Sequence, residues 1–187
     1  MSEHQYNLGR VELLDAEAIG KPGNRRFRLI ARSPRGSASL WLERGQLEAL
    51  SLAVDQMLAQ ISGGEILRLE AMSSIPEPPG APDDFPLEPE TDFHVGQLQL
   101  GYDEDHDLIV MRAAPMELIE QDGELVVRED VEPQFSADIT RAQASRLSQH
   151  IFAVLASGRP RCPFCGQPME EQHVCAKQNG YHPASLN

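Results

Sequence analysis

Cys162, Cys165, His173 and Cys175, spaced Cys-x2-Cys-x7-His-x-Cys, are the residues of this chain best suited to chemistry, and that chemistry is metal binding. Zinc takes four thiolate or imidazole ligands in a tetrahedron, and a Cys-x-x-Cys followed by Gly166 makes a tight knuckle that turns both sulfurs inward. His173 and Cys175, two residues apart, share one side of an extended segment. A redox dithiol is the competing reading. Such a pair normally opens a helix after a strand, whereas this one follows a helix end and Gly158-Arg159-Pro160, with a third cysteine and a histidine nearby. His182 is a weaker alternative ligand. Four protein ligands close the coordination shell, so the expected role is a structural staple for the C-terminal tail rather than hydrolysis.

Other clusters carry less. Arg25, Arg26, Arg28, Arg32 and Arg35 form a basic group in an acidic chain, a possible anion-binding face for a phosphate or an acidic partner. The favoured reading is a solvated strand face, paired with the chain's own acidic loops. Trp41 is expected to pack in the core or on a hairpin face, since no further aromatic interleaves with the arginines. Asp103, Glu104, Asp105 and Asp107 lack the spacing of a calcium loop and read as a solvated turn. His4, His94, His106 and His150 have no nucleophile or carboxylate partner recognisable in sequence. Phosphate loops, nucleophile elbows and metalloprotease motifs are absent, which leans the reading away from an enzyme.

The elements that must position these residues follow from periodicity. Phe27, Leu29 and Ala31 alternate with Arg26, Arg28 and Arg32, the pattern of a half-buried strand. Ser33-Pro34-Arg35-Gly36 supplies a turn into a second strand over 38–42, and 11–18 could add a strand before both. From Arg44 to Ile61 the apolar residues Leu47, Leu50, Val54, Met57, Leu58 and Ile61 recur at helical spacing, with Ser62-Gly63-Gly64 as the stop. Strands at 93–102, 108–113 and 135–139 and a helix opening at Thr140, with Gln143 completing a capping box, repeat the order. Laying Gln143 over Gln46 aligns Leu147 with Leu50, Ile151 with Val54, Val154 with Met57 and Leu155 with Leu58, which suggests an internal repeat.

The predicted fold is therefore α+β. Two related strand-strand-strand-helix halves, 1–69 and 93–158, form a mainly antiparallel sheet with two helices on one face. Between them 70–92 is rich in proline and acid and reads as an extended linker or surface loop, 117–132 reads as a mobile acidic stretch, and 159–187 is the zinc-binding tail.

At 187 residues the chain can bury a real core without metal. Its net charge of −13 opposes wholesale binding to nucleic acid or anionic membrane. No run approaches the roughly 20 apolar residues of a membrane span, and the first residues lack the pattern of a secretion signal. Three cysteines confined to the tail fit a reducing, cytoplasmic setting better than a secreted disulfide scaffold.

Gly20-x-Pro22-Gly23 before Phe27-x-Leu29-x-Ala31-Arg32, the acidic middle, and Gly158-Arg-Pro-x-Cys-Pro-x-Cys-Gly-x-Pro168 with His173-x-Cys175 and Asn179-Gly-Tyr181 resemble the bacterial "uncharacterised repeat protein" family, a domain of unknown function. The resemblance spans nearly the whole chain; Ala176-Lys177 departs from it, standing where the pattern has Pro-Arg, outside the proposed ligands. It implies the two-half architecture and the zinc, but no activity. The leading expectation is a non-enzymatic adaptor or interaction module with a protein partner. Nucleic-acid binding through the zinc tail and arginine strand, or an enzyme with a site between the halves, are the alternatives.

Overall fold

The computed structural model describes residues 6–21, 23–62, 80–121, 123–128 and 131–156. The proposed zinc ligands, and the tail from Ser157 onward, lie outside these residues. Strands β1 (Tyr6–Arg10), β2 (Leu13–Ile19), β3 (Arg26–Ser33) and β4 (Gly36–Leu42) precede helix α1 (Arg44–Ile61). Then come β5 (Thr91–Asp103), β6 (Leu108–Pro115), β7 (Leu118–Gln121), β8 (Glu124–Val127), β9 (Phe135–Ile139) and helix α2 (Arg141–Ala156). The expected elements occur in the expected order, with β1, β7 and β8 added to them, and the fold is α+β.

Seven strands form one mixed sheet in the order β1-β9-β6-β5-β4-β3-β2. Four of its pairings are antiparallel, whereas β4 with β5 and β1 with β9 run parallel. The two edge strands, β1 and β2, are consecutive in sequence. Laid flat, seven strands span about 29 Å at 4.8 Å per step. The three steps from Arg10 to Leu13 reach at most about 11 Å. The sheet therefore curls until its edges meet. Val11 N–H donates to Asp138 O (3.1 Å) of β9, while Glu12 N–H donates to Arg32 O (2.9 Å) of β3, so adjacent residues hold opposite ends of the sheet. The segment 11–18 thus belongs to a longer, interrupted strand, and β1 is an element that periodicity did not reveal.

One face of every strand in this sheet feeds the core. Leu14, Leu29, Leu40, Met111, Ile109, Phe135 and Ile139 are buried with Leu47, Leu50, Val54 and Leu58 of α1 and Leu147, Ile151 and Val154 of α2. Each such aliphatic side chain contributes about 1.5–3 kcal/mol on leaving water.

The two helices are capped alike. Gln46 Oε1 accepts the Glu43 N–H (2.8 Å) and Gln143 Oε1 the Thr140 N–H (2.9 Å), which caps both helices. Each Nε2 then donates 2.9 Å to a carbonyl at the kink of the other half's first strand, Gln46 to Val95 and Gln143 to Val11. Where the helices touch, the Ser51 and Ser148 hydroxyls lie 3.0 Å apart and each also approaches the other's backbone carbonyl.

The stretch 117–132 differs from the expectation of a mobile segment. The acidic region contains the β7–β8 hairpin, a separate two-stranded sheet that presents Leu118, Leu125 and Val127 to solvent. The described part of the linker is a strap across the outer face of the first half. Ala81 N–H donates to Glu17 (2.9 Å), Asp84 pairs with Arg32 (2.9 Å), and Phe85 is buried near Arg28.

Glu90 ends that strap. Its Oε2 accepts the Ser37 N–H (2.7 Å) and hydroxyl (2.5 Å), and the Ser37 hydroxyl above all holds the carboxyl below its usual range. The folded state therefore favours the charged form. Its contribution is complete above the unfolded pKa of about 4.3 and is lost as pH falls through the lower folded value. In Ser37→Ala the Glu90 carboxyl is expected to titrate closer to the ordinary value, read by carboxyl-carbon NMR. Equal titration in both proteins would discount the bond.

Candidate functional site

A groove of about 520 Å³ opens between α1 and β5. From the helix come Ala49, Leu50, Ala53 and Met57 with the amides of Gln46, Gln56 and Gln60; from the strand come Gly96, Gln97, Leu98 and Leu100. None of the described lining residues carries a charge, although the chain as a whole is at −13. Helical periodicity makes this wall. The α1 core stripe turns Leu47, Val54 and Leu58 inward, and the next face round carries small and amide residues rather than the charges usual at a helix surface.

Gly96 shapes one end. A Cβ there would sit 2.9 Å from Pro115 O and 3.0 Å from Met116 Cα, so only glycine lets β5 pass so close to the end of β6. The register slips at the same point, between Val95 and Gln97, as at a β-bulge.

The equivalent junction in the other half is built differently. There α2 lies against β2, and the Asp15 carboxylate meets His150 Nδ1 at 2.8 and 3.0 Å, both side chains almost wholly buried. The carboxylate also accepts the Ala16 N–H (2.7 Å) and, more weakly, the Gly80 N–H (3.4 Å). On the pattern of matched residues, Ala53 stands in α1 where His150 stands in α2, and Gln99 stands in β5 where Asp15 stands in β2. One junction is latched by a buried ionisable pair; the other keeps a groove.

Asp15 and His150 are 135 residues apart, so no spacing could have joined them. The available signal was a carboxylate within the apolar run Leu13-Leu14-Asp15-Ala16 and a histidine on the flank of the α2 stripe. A His–Asp pair orients a general base in some enzymes. Among the described residues, however, His150 hydrogen-bonds only to Asp15, with no nucleophile on the ring's other nitrogen.

The arginine strand is partly spoken for. Arg28 pairs with Glu17 and donates to Ser39 Oγ (3.0 Å), and Arg32 pairs with Asp84. The guanidinium of Arg26, which is exposed, lies 4.8 Å from the centre of the Trp41 ring. Trp41 is thus half-buried on the outer face beneath the arginines, its Nε1 donating to Asp92 (2.8 Å) and its ring stacked near His94. Arg25 sits half-buried just before β3.

In the acidic turn, Asp103 accepts from the His106 backbone and lies 2.9 Å from its Nδ1, an interaction that holds the carboxyl below its usual range. Asp107, in the left-handed region at φ 55°, accepts from the Tyr102 hydroxyl (2.6 Å) and Arg141 Nε (2.7 Å). These carboxylates serve the turn. Among the described residues no three histidine, cysteine or acidic side chains gather as metal ligands, and no helix is long and apolar enough to cross a membrane.

Neither a curated protein nor a solved structure matches the chain. A family model described as "Protein of unknown function (DUF3090)" matches residues 4–175, from ahead of β1 to the last of the three cysteines. Covering both halves and most of the tail, that match means the chain belongs to the DUF3090 family.

Proposed function

We propose that this chain is a zinc-binding interaction module with no catalytic role of its own, and that its partner binds in the α1–β5 groove. The observation that carries the reading is the contrast between the two junctions. Among the described residues an uncharged groove stays open where its counterpart is latched, and its lining offers apolar surface and amides but no acid, base or nucleophile. Pockets of this size and polarity bind.

The three thiolates and one imidazole of Cys162, Cys165, His173 and Cys175 suit zinc in a closed shell, which would hold the tail in a fixed shape. The matched capping glutamines and serines favour reading the two halves as copies of one duplicated unit. A reducing, cytoplasmic compartment suits free thiolates.

The test transplants the latch. Ala53→His with Gln99→Asp installs in the open junction the pair that closes the other. The double variant is expected to remain folded and to lose at least about tenfold in affinity for groove ligands, a change of about 1.4 kcal/mol. Unchanged binding of every ligand found for the wild type would remove the groove from the function.

A second reading has one observation in its favour, the arginines gathered over Trp41. Single-stranded RNA could stack there. Salt-sensitive RNA binding that disappears in Arg26→Glu would support it, and no binding at low salt would dismiss it.

A further inference from the structure

We infer that the occupant of the groove is an extended, uncharged peptide segment of a partner protein, added as a strand to the free edge of β5. The inference rests on the groove reading above and adds the form of the ligand.

Ladder parity fixes the direction in which the β5 backbone groups point. In an antiparallel pair, residues alternate between pointing both backbone groups at the partner strand and pointing both away. Ala113 of β6 spends its carbonyl on Gln134 N–H (2.9 Å), beside β9, so it points away from β5. Leu98 stands opposite Ala113 and must therefore turn its own N–H and C=O away from β6. Leu100, two residues on, does the same. Both residues line the groove, and their backbone donors and acceptors point to the side of β5 beyond its last pairing with β4, that of Trp41 with His94.

The other half confirms the parity and shows how such an edge is satisfied. Arg32 of β3 accepts from Glu12, which directs Ala31 away from β2 and its opposite number Leu14 away from β3. Ala16, two further on, points its N–H to the same free side, where the Asp15 carboxylate takes it at 2.7 Å. In β5 the matched position is Gln99, whose amide lies 3.5 Å from Gln97. No acceptor for the Leu98 or Leu100 N–H appears among the described residues.

An edge that no described residue pairs, beside an apolar wall, calls for a strand. Ladder bonds to Leu98 and Leu100 would supply affinity, and alternate side chains of the added strand would rest against Ala53 and Met57. From Gln46 to Gln60 α1 runs about 21 Å, room for roughly six residues at 3.3–3.4 Å each. An uncharged lining cannot compensate a buried charge, so the segment facing it should carry none. The β7–β8 hairpin of a second copy fits poorly, since it carries Glu120 and Glu124 among its apolar residues.

The test uses the full chain and a pool of capped seven-residue peptides with threonine at odd positions and valine, leucine, alanine or phenylalanine at even ones. Amide exchange of Leu98 and Leu100 is expected to be fast in the free protein and to slow by about tenfold or more with a binding peptide. Methylation of alternate peptide nitrogens should abolish both binding and slowing, and Ala53→Trp should do so by filling the groove. Binding blocked by Ala53→Trp but indifferent to N-methylation, with no slowing at Leu98 and Leu100, overturns the strand while leaving the groove reading intact. Absence of slowing with every peptide also overturns it. So does slow exchange before any peptide is added: if it grows with protein concentration the occupant is a second copy, and if it does not, the chain covers its own edge.

Discussion

Replacing Asp15 by alanine is expected to destabilise the chain by about 3 kcal/mol and lower its melting temperature by about 6–12 °C. The carboxylate has three duties within 3.4 Å: it bonds His150 Nδ1, the Ala16 N–H and the Gly80 N–H. Its loss strands a buried imidazole and an edge amide together, and a buried polar group left without a partner costs more than the bond itself contributes. Asp15→Asn keeps the shape and one oxygen, and should cost about half as much. Changing His150 to leucine in the alanine background should recover part of the loss, because the orphaned imidazole is then gone. Urea melts with unchanged slope provide the measurement. A loss below about 1 kcal/mol for Asp15→Ala would mean that the latch contributes little beyond its own desolvation.

The second large effect concerns the tail. The purified chain is expected to carry about one zinc, and Cys165→Ser to lose most of it on gel filtration, since a structural site of this donor type holds its metal by about 10 kcal/mol or more near pH 7. Affinity should fall steeply in acid, because protons compete for three thiolates and an imidazole. Elemental analysis at several pH values tests both statements. A metal-free protein with a Cys162–Cys165 disulfide would replace the zinc reading with the redox one. Because the described residues from Leu8 to Val154 already form a continuous core, removing the metal should leave the main unfolding transition within about 1 kcal/mol of the loaded protein.

Much of the scaffold was legible because its signals are local. The α1 stripe and the Thr140–Gln143 capping box depend on residues three or four apart, and the bounds of α1 and β9 match the periodicity. The correspondence of Gln46 with Gln143 proved more informative than the apolar stripes around it, since both side chains make the same two bonds. The closure of the sheet was not legible. Nothing between Arg10 and Leu13 announces that the neighbours there belong to opposite edges. The groove was hidden for a different reason: it is defined by what Ala53 and Gln99 lack, and that is visible only once their counterparts His150 and Asp15 are seen together. Small and amide residues on a helix read as ordinary surface until a strand edge is found beside them.

The parallel pairing of β1 with β9 also bears on how the chain comes into being. Tyr6 is made before every other strand of the sheet, and its partner Phe135 only after all of them. Until then the opening segment has nothing to pair with on that side, and the ring stays open. Completion must wait for β9, so the rate-limiting event should be a long-range docking once that strand has emerged, and the waiting edge is the surface most in need of chaperone cover.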